Sequence, residues 1–308
     1  MFDRPPEAKI FFESIAHKMS FYINGTKVDT IDVTPENQKD EVPVLVLPGW
    51  GATMQSFIQG MEILAEKGRR SISLDHPRKG GDIADSYNAE AEQWFKEKGI
   101  AYPDLPKEEL RKANTIIGLL DQKKLGKVDV IAHSEGAINV CIAAMLHPEK
   151  FTGRTIVLYS PAGLIGKDSI FRLQKGAGAT KSRTETMSEF PITEAETQYL
   201  TATKNITPDY MKANPLRAVK ELWAISQAQI ENMLRYLRAI GIKIVVIEGV
   251  DDTMFPMDKM QQNVKKDFVD GFLSVRGGHM QIQVHPELFM SAAESMLAQP
   301  KEMKKEKF

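Results

Sequence analysis

The stretch Val128-Asp129-Val130-Ile131-Ala132-His133-Ser134-Glu135-Gly136-Ala137 sets a serine between an apolar strand pattern and a helical one. A serine in a sharp strand-to-helix turn sits in a strained backbone conformation that aims its hydroxyl away from the sheet. Such a turn closes only when the residues two before and two after are small, here Ala132 and Gly136. The helix that follows would direct its free N–H groups toward charge developing near the hydroxyl. Ser134 is therefore the candidate nucleophile of the chain.

The rest of the composition is that of an ordinary soluble globular protein: 308 residues, 42% hydrophobic, 26% charged, with a formal net charge of −1. Near-neutrality gives no reason to expect nucleic acid or an anionic membrane as a partner. A single cysteine, Cys141, excludes an internal disulfide and a CxxC metal or redox site. Within the helical run 138–146 it reads as a buried structural thiol. The opening residues Met1-Phe2-Asp3-Arg4-Pro5-Pro6-Glu7 lack the basic-then-apolar layout of a signal peptide. No apolar run approaches the roughly 20 residues that span a bilayer. The expectation is a cytoplasmic enzyme acting on a small molecule, with no metal and no organic cofactor.

Short runs rich in Val, Ile and Leu recur at 42–47, 71–74, 128–131, 154–159, 242–247 and 271–275, separated by helical patterns. Continuous apolar strands alternating with helices predict an α/β fold with a mostly parallel central sheet covered on both faces. Residues 14–23 and 26–33 read as an antiparallel hairpin turning at Asn24-Gly25. Helices are predicted at 54–67, 107–125, 137–145, 257–267 and 286–297. The sheet rhythm stops after Ser160-Pro161 and resumes at Lys243. The chain therefore divides into a core, 1–162 and 240–308, and an insertion, 163–239, read as a helical lid over the carboxyl ends of the strands. The polar first part of the insertion, 163–189, reads as a solvated basic loop; helices are predicted at 193–204 and 216–239, with part of the last returning to pack on the sheet. A smaller insertion after Asp82 carries Tyr87, Trp94, Phe95 and Tyr102. The run 175–182 resembles a phosphate loop only superficially, because Thr180 and Lys175 stand where that loop needs glycine.

A serine hydroxyl is a poor nucleophile until a base takes its proton, so Ser134 predicts a histidine and an acid in later loops, in the order Ser, acid, His. After the run 243–247 comes Glu248-Gly249-Val250-Asp251-Asp252-Thr253-Met254-Phe255-Pro256, which offers Asp251 and Asp252. After the next run comes Arg276-Gly277-Gly278-His279-Met280. The chain has only six histidines, and His279 falls where the base is required. His133 reads as shaping the serine turn, while His17, His76, His147 and His285 read as structural.

Across nearly all of the chain outside the insertion, these motifs resemble the α/β-hydrolase superfamily, in its capped serine-hydrolase branch. The family's Gly-x-x-Asp-x-x-x-Pro loop falls on Gly249, Asp252 and Pro256, which implies Asp252 as the orienting acid. The Gly-Gly-His context implies His279 as the catalytic base. Two backbone donors for an oxyanion are implied at Glu135, after the nucleophile, and at Trp50, in Leu47-Pro48-Gly49-Trp50-Gly51-Ala52. The family usually carries His-Gly in that loop, so Pro48 is a departure. Trp50, Met187, Phe190, Trp223 and Met254 are candidate substrate-lining residues. The implied activity is cleavage of a carboxylic ester through an acyl-enzyme on Ser134. Lactone, amide or peptide, and carbon–carbon bond hydrolysis remain open on the same triad, as does a non-catalytic small-molecule receptor. A haloalkane-type enzyme needs an aspartate nucleophile, which Ser134 excludes.

Overall fold

The computed structural model describes residues 14–102, 106–186, 206–264 and 268–297. Strands β1 (Ala16–Ile23) and β2 (Thr26–Val33) form the hairpin expected from Asn24-Gly25. Both turn residues have positive φ, 52° and 71°, the pair a two-residue turn needs to match the strand twist. Then come β3 (Asp40–Leu47), β4 (Arg69–Leu74), β5 (Asp129–His133), β6 (Thr155–Tyr159), β7 (Lys243–Gly249) and β8 (Gly271–Val275). Among the described residues they make one sheet in the order β1-β2-β4-β3-β5-β6-β7-β8. The pairs β1–β2 and β2–β4 are antiparallel and all others are parallel. Strands β5 and β6 are buried along their whole length, which is why they read as unbroken apolar runs rather than alternating ones.

The helices are α1 (Ile58–Glu66), α2 (Asp85–Glu97), α3 (Pro106–Gln122), α4 (Gly136–Leu146), α5 (Ile170–Thr186), α6 (Ile206–Ala213), α7 (Pro215–Gln227), α8 (Glu231–Ala239), α9 (Met257–Asn263), α10 (Gln281–Val284) and α11 (Pro286–Met296). On one face of the sheet α1 and α11 bury Met61, Leu64, Phe289 and Met290. They touch at Gly60, where a Cβ would lie 2.4 Å from Met290 Cε. On the other face α3, α4 and α8 build the larger core around Ile116, Leu120, Ile138 and Leu234. At the amino ends of the parallel strands the buried Arg69 pairs with Asp40 at 2.9 Å and Glu294 at 3.1 Å, and Arg154 pairs with Asp40 at 3.1 Å and with Asp129. That network ties β3 to β6 together at one end. The loops at the opposite, carboxyl ends remain available to build a site.

Two segments depart from the sequence expectation, and a third, after Asp82, gains an element that the sequence pattern leaves unassigned. The solvated loop expected at 163–189 contains α5 instead, and its Gly176 is required by close contact: a Cβ there would lie 2.5 Å from the Thr253 carbonyl oxygen. The helix expected at 216–239 is two helices, α7 and α8. The chain turns extended at Ala228 (ψ 139°), and the buried Ile230 donates its N–H to the Gly163 carbonyl at 3.1 Å. Helix α8 then returns to pack into the core through Met233, Leu234 and Leu237, as the sequence pattern leads one to expect. The aromatic insertion after Asp82 contains α2, with Phe95 fully buried. The helix expected at 193–204 lies outside the described residues.

Candidate active site

Ser134 follows β5 directly and has φ of +54°, a left-handed conformation that costs a non-glycine residue roughly 1–2 kcal/mol. Three hydrogen bonds hold it there. Its N–H donates to the Tyr159 carbonyl at 3.0 Å, and its carbonyl accepts from Ala137 and Ala162, both at 3.1 Å. The small neighbours are required by space. A Cβ on Gly136 would lie 3.0 Å from the Pro48 carbonyl, and one on Gly49 would lie 2.7 Å from the Ser134 Cβ. The loop after β3 is thus pressed against the serine.

His279 lies between Ser134 and Asp252. Its Nδ1 is 2.7 Å from Asp252 Oδ2 and its Nε2 is 3.1 Å from Ser134 Oγ. With Nδ1–H donating to the carboxylate, Nε2 is left bare to accept the serine proton. The other oxygen of Asp252 accepts the N–H groups of Met254 at 2.7 Å and Phe255 at 2.9 Å. Burial pushes this carboxyl up, but the His279 charge and the hydrogen bonds outweigh it and hold Asp252 below its ordinary range. Of the two candidate aspartates, it is Asp252 that reaches the ring.

Residues behind the histidine fix its loop. His133 donates from Nε2 to the His279 carbonyl at 3.0 Å, and burial, helped by His279, pushes its pKa down to about 3, so it stays neutral. Tyr159 donates its hydroxyl to the Gly278 carbonyl at 3.0 Å. Gly277 has φ of +131° and packs on Gly249, where a Cβ would lie 2.4 Å from the Gly277 oxygen. Sequence reasoning missed Glu248, at the end of β7. Ser160 Oγ donates to it at 3.2 Å. Burial, reinforced by the Asp252 charge, pushes Glu248 well above its ordinary range and holds it as the neutral acid.

The backbone N–H groups of Trp50 and Glu135 have no acceptor among the described residues. The Trp50 ring is half-buried and meets Tyr210 edge-on at 6.0 Å. Met254 stands on the acid loop, partly buried against the core. Trp223 stands on α7 and is 44% exposed. Met187 and Phe190 lie outside the described residues. Two inserted helices brace the site loops. From α5, Arg172 donates to the Met254 carbonyl at 2.6 Å, and Thr253 donates back to the Gly176 carbonyl at 2.8 Å. From α6, Thr207 donates to the Gly51 carbonyl at 3.1 Å. No group of three or more His, Cys, Asp or Glu among the described residues could hold a metal ion. None of the helices described there is long and apolar enough to cross a membrane.

A family model described as the alpha/beta hydrolase fold matches residues 42–178, the span from β3 through the serine turn into α5. The chain has the alpha/beta hydrolase fold. Solved structures similar to this α/β-hydrolase include a thermophilic esterase from Thermogutta terrifontis, at 15% identity and TM-score 0.58, covering 91% of this chain and 97% of that one. A bromoperoxidase from Bacillus anthracis matches at 15% identity and TM-score 0.62, covering 91% and 99%. An enol-lactonase from Burkholderia xenovorans LB400 matches at 14% identity and TM-score 0.63, covering 90% and 98%. No curated protein matches the chain.

Two predictions follow from the geometry around the serine and the acid. Replacing Ser134 by glycine relieves the left-handed backbone, whereas alanine does not, so Ser134→Gly should exceed Ser134→Ala in stability by roughly 1 kcal/mol. Equal denaturation midpoints would show that the turn stores no strain. For Glu248, the unfolded chain releases the proton above the ordinary glutamate range while the folded protein keeps it, so stability falls as pH rises through that window. Glu248→Gln keeps the shape of the side chain and the acceptor for Ser160 without that proton. Its melting-temperature advantage should be near zero at pH 4.5 and widen toward pH 8; an offset independent of pH would mean that Glu248 is ionised.

Proposed function

We propose that this α/β-hydrolase is a serine hydrolase that cleaves a carboxylic ester through an acyl-enzyme on Ser134. The observation that carries the reading is the His279 ring, 2.7 Å from Asp252 and 3.1 Å from Ser134. As Oγ of Ser134 attacks the ester carbonyl, its proton passes to Nε2 of His279, and the Asp252 carboxylate stabilises the imidazolium. The tetrahedral oxyanion lies against the N–H groups of Trp50 and Glu135, each donor of this kind being worth on the order of 10²–10³ in kcat. His279 returns the proton to the departing alkoxide, which leaves as alcohol. Water then enters, loses its proton to the same nitrogen and releases the acid and free Ser134.

An ester is the substrate class that asks least of leaving-group protonation, and the fold is shared with both an esterase and an enol-lactonase. The partner is a small ester-like molecule, with Trp50 and Met254 facing it. The reaction runs on side chains and backbone donors alone, with no metal or organic cofactor in the proposed steps.

Mixing the protein with p-nitrophenyl butyrate tests this. A burst of nitrophenolate equal to the enzyme concentration is expected in wild type and none in Ser134→Ala, while Asp252→Asn should lower kcat on the order of 10⁴-fold. Saturable binding of esters and lactones with neither burst nor turnover would overturn the reading in favour of a receptor on a hydrolase scaffold.

A further inference from the structure

Next to the serine turn the protein buries a cluster of charges that the acyl-transfer steps do not use. Lys112 of α3 is 1% exposed, and its Nζ lies 2.6 Å from both carboxylate oxygens of Glu135, the residue after Ser134. The same ammonium lies 3.2 Å from Oε1 of Glu221 on α7, which is fully buried. Those three acceptors match the three N–H bonds of an ammonium. Glu221 also takes Arg111 at 3.1 Å on Oε1 and the Tyr210 hydroxyl on Oε2. Arg111 in turn donates to the Pro77 carbonyl at 3.2 Å. Glu109, buried and held neutral by burial and the Glu135 charge, takes the Asn139 amide. Arg111 also lies 3.6 Å from Glu108, which Arg217 approaches at 3.4 Å, so with Glu109 neutral three cations face three carboxylates.

An apolar plug of the same volume would be neutral or more stable than such a cluster, because each buried ion is desolvated. Its placement is what sets it apart. One arm ends on Glu135. The other runs through Glu221 and Tyr210 to the edge of the Trp50 ring, 6.0 Å from the Tyr210 ring. Those are the two residues whose backbone N–H groups lack acceptors, and they sit on loops after different strands, β3 and β5. A pair of donors acts on an oxyanion only when their spacing is fixed before the reaction.

We propose that Lys112 is a positioning residue for the oxyanion hole, joining the Glu135 donor directly, and the Trp50 donor through Glu221 and Tyr210, to one buried ammonium. The inference rests on the acyl-transfer reading of Ser134. Lys112→Met keeps the length and apolar volume of the stem and removes the charge. Tyr210→Phe keeps the ring and cuts only the arm toward Trp50.

The experiment measures kcat and KM on p-nitrophenyl butyrate, and Ki for an aryl trifluoromethyl ketone, which adds reversibly to serine as a tetrahedral oxyanion. Lys112→Met should lower kcat roughly 10- to 100-fold, a share of the loss known for a deleted donor, with KM within about twofold. The Ki should rise by the same factor as kcat/KM falls. Tyr210→Phe should show the same pattern at smaller size, and it serves as the deciding variant if Lys112→Met does not fold. Unchanged kcat and Ki in a folded variant would overturn the proposal, as would a loss confined to KM or to melting temperature. If wild type gives no burst and no turnover, the acyl-transfer reading has failed; if wild type turns over and both variants match it, only the role of Lys112 has failed.

Discussion

The left-handed backbone at Ser134 is the constraint on which the rest of the site depends. A side chain at φ of +54° leaves the plane of β5 and stands above the sheet. To hold it there, β6 must run beside β5 so that Tyr159 can accept the serine N–H, and the loop after β3 must approach close enough to require Gly49 and Gly136. The strand order meets both demands, because β3 and β6 are the two neighbours of β5. The same order places β7 and β8 next in line, so their loops deliver Asp252 and His279 from one side while the loop after β3 delivers Trp50 from the other.

The inserted helices are part of this preorganisation. Helix α5 grips the acid loop through Arg172 and Gly176, and α6 grips the Gly51 loop through Thr207. The Arg172 and Thr207 bonds end on backbone carbonyls of the two loops, and Thr253 of the acid loop donates back to α5, so these helices fix loop geometry as well as adding surface. Neutral buried acids serve a related purpose. Glu248 and Glu109, each pushed above its ordinary range by burial and by the charge of Asp252 or Glu135, add no second negative charge to a dry interior.

The core of the fold was legible because buried parallel strands leave unbroken Val and Ile runs, and because the serine turn needs small residues at fixed offsets. Ser134, Asp252 and His279 were legible for the same reason: each stands at the end of such a run. What escaped depends on tertiary contact. Gly176 looks like a loop signal and is a helix residue pressed on a carbonyl; the break at Ala228 is set by a hydrogen bond to Gly163, 67 residues or so away in the chain. Glu109 and Lys112 left a trace that was not used, since they share helical spacing with the buried Ala113 and Ile116. Nothing in the sequence marks Glu221 or Tyr210 as their partners, because ion-pair geometry is a property of the assembled helices.

The most direct test of the central claim is the mass of the Ser134 peptide after treatment with a fluorophosphonate. An activated serine in wild type should yield a single adduct on the peptide containing Ser134, and His279→Ala, which removes the base and leaves the turn intact, should slow its formation by orders of magnitude. An adduct that forms equally fast without His279, or wild-type protein left unmodified while fully folded, would contradict the account.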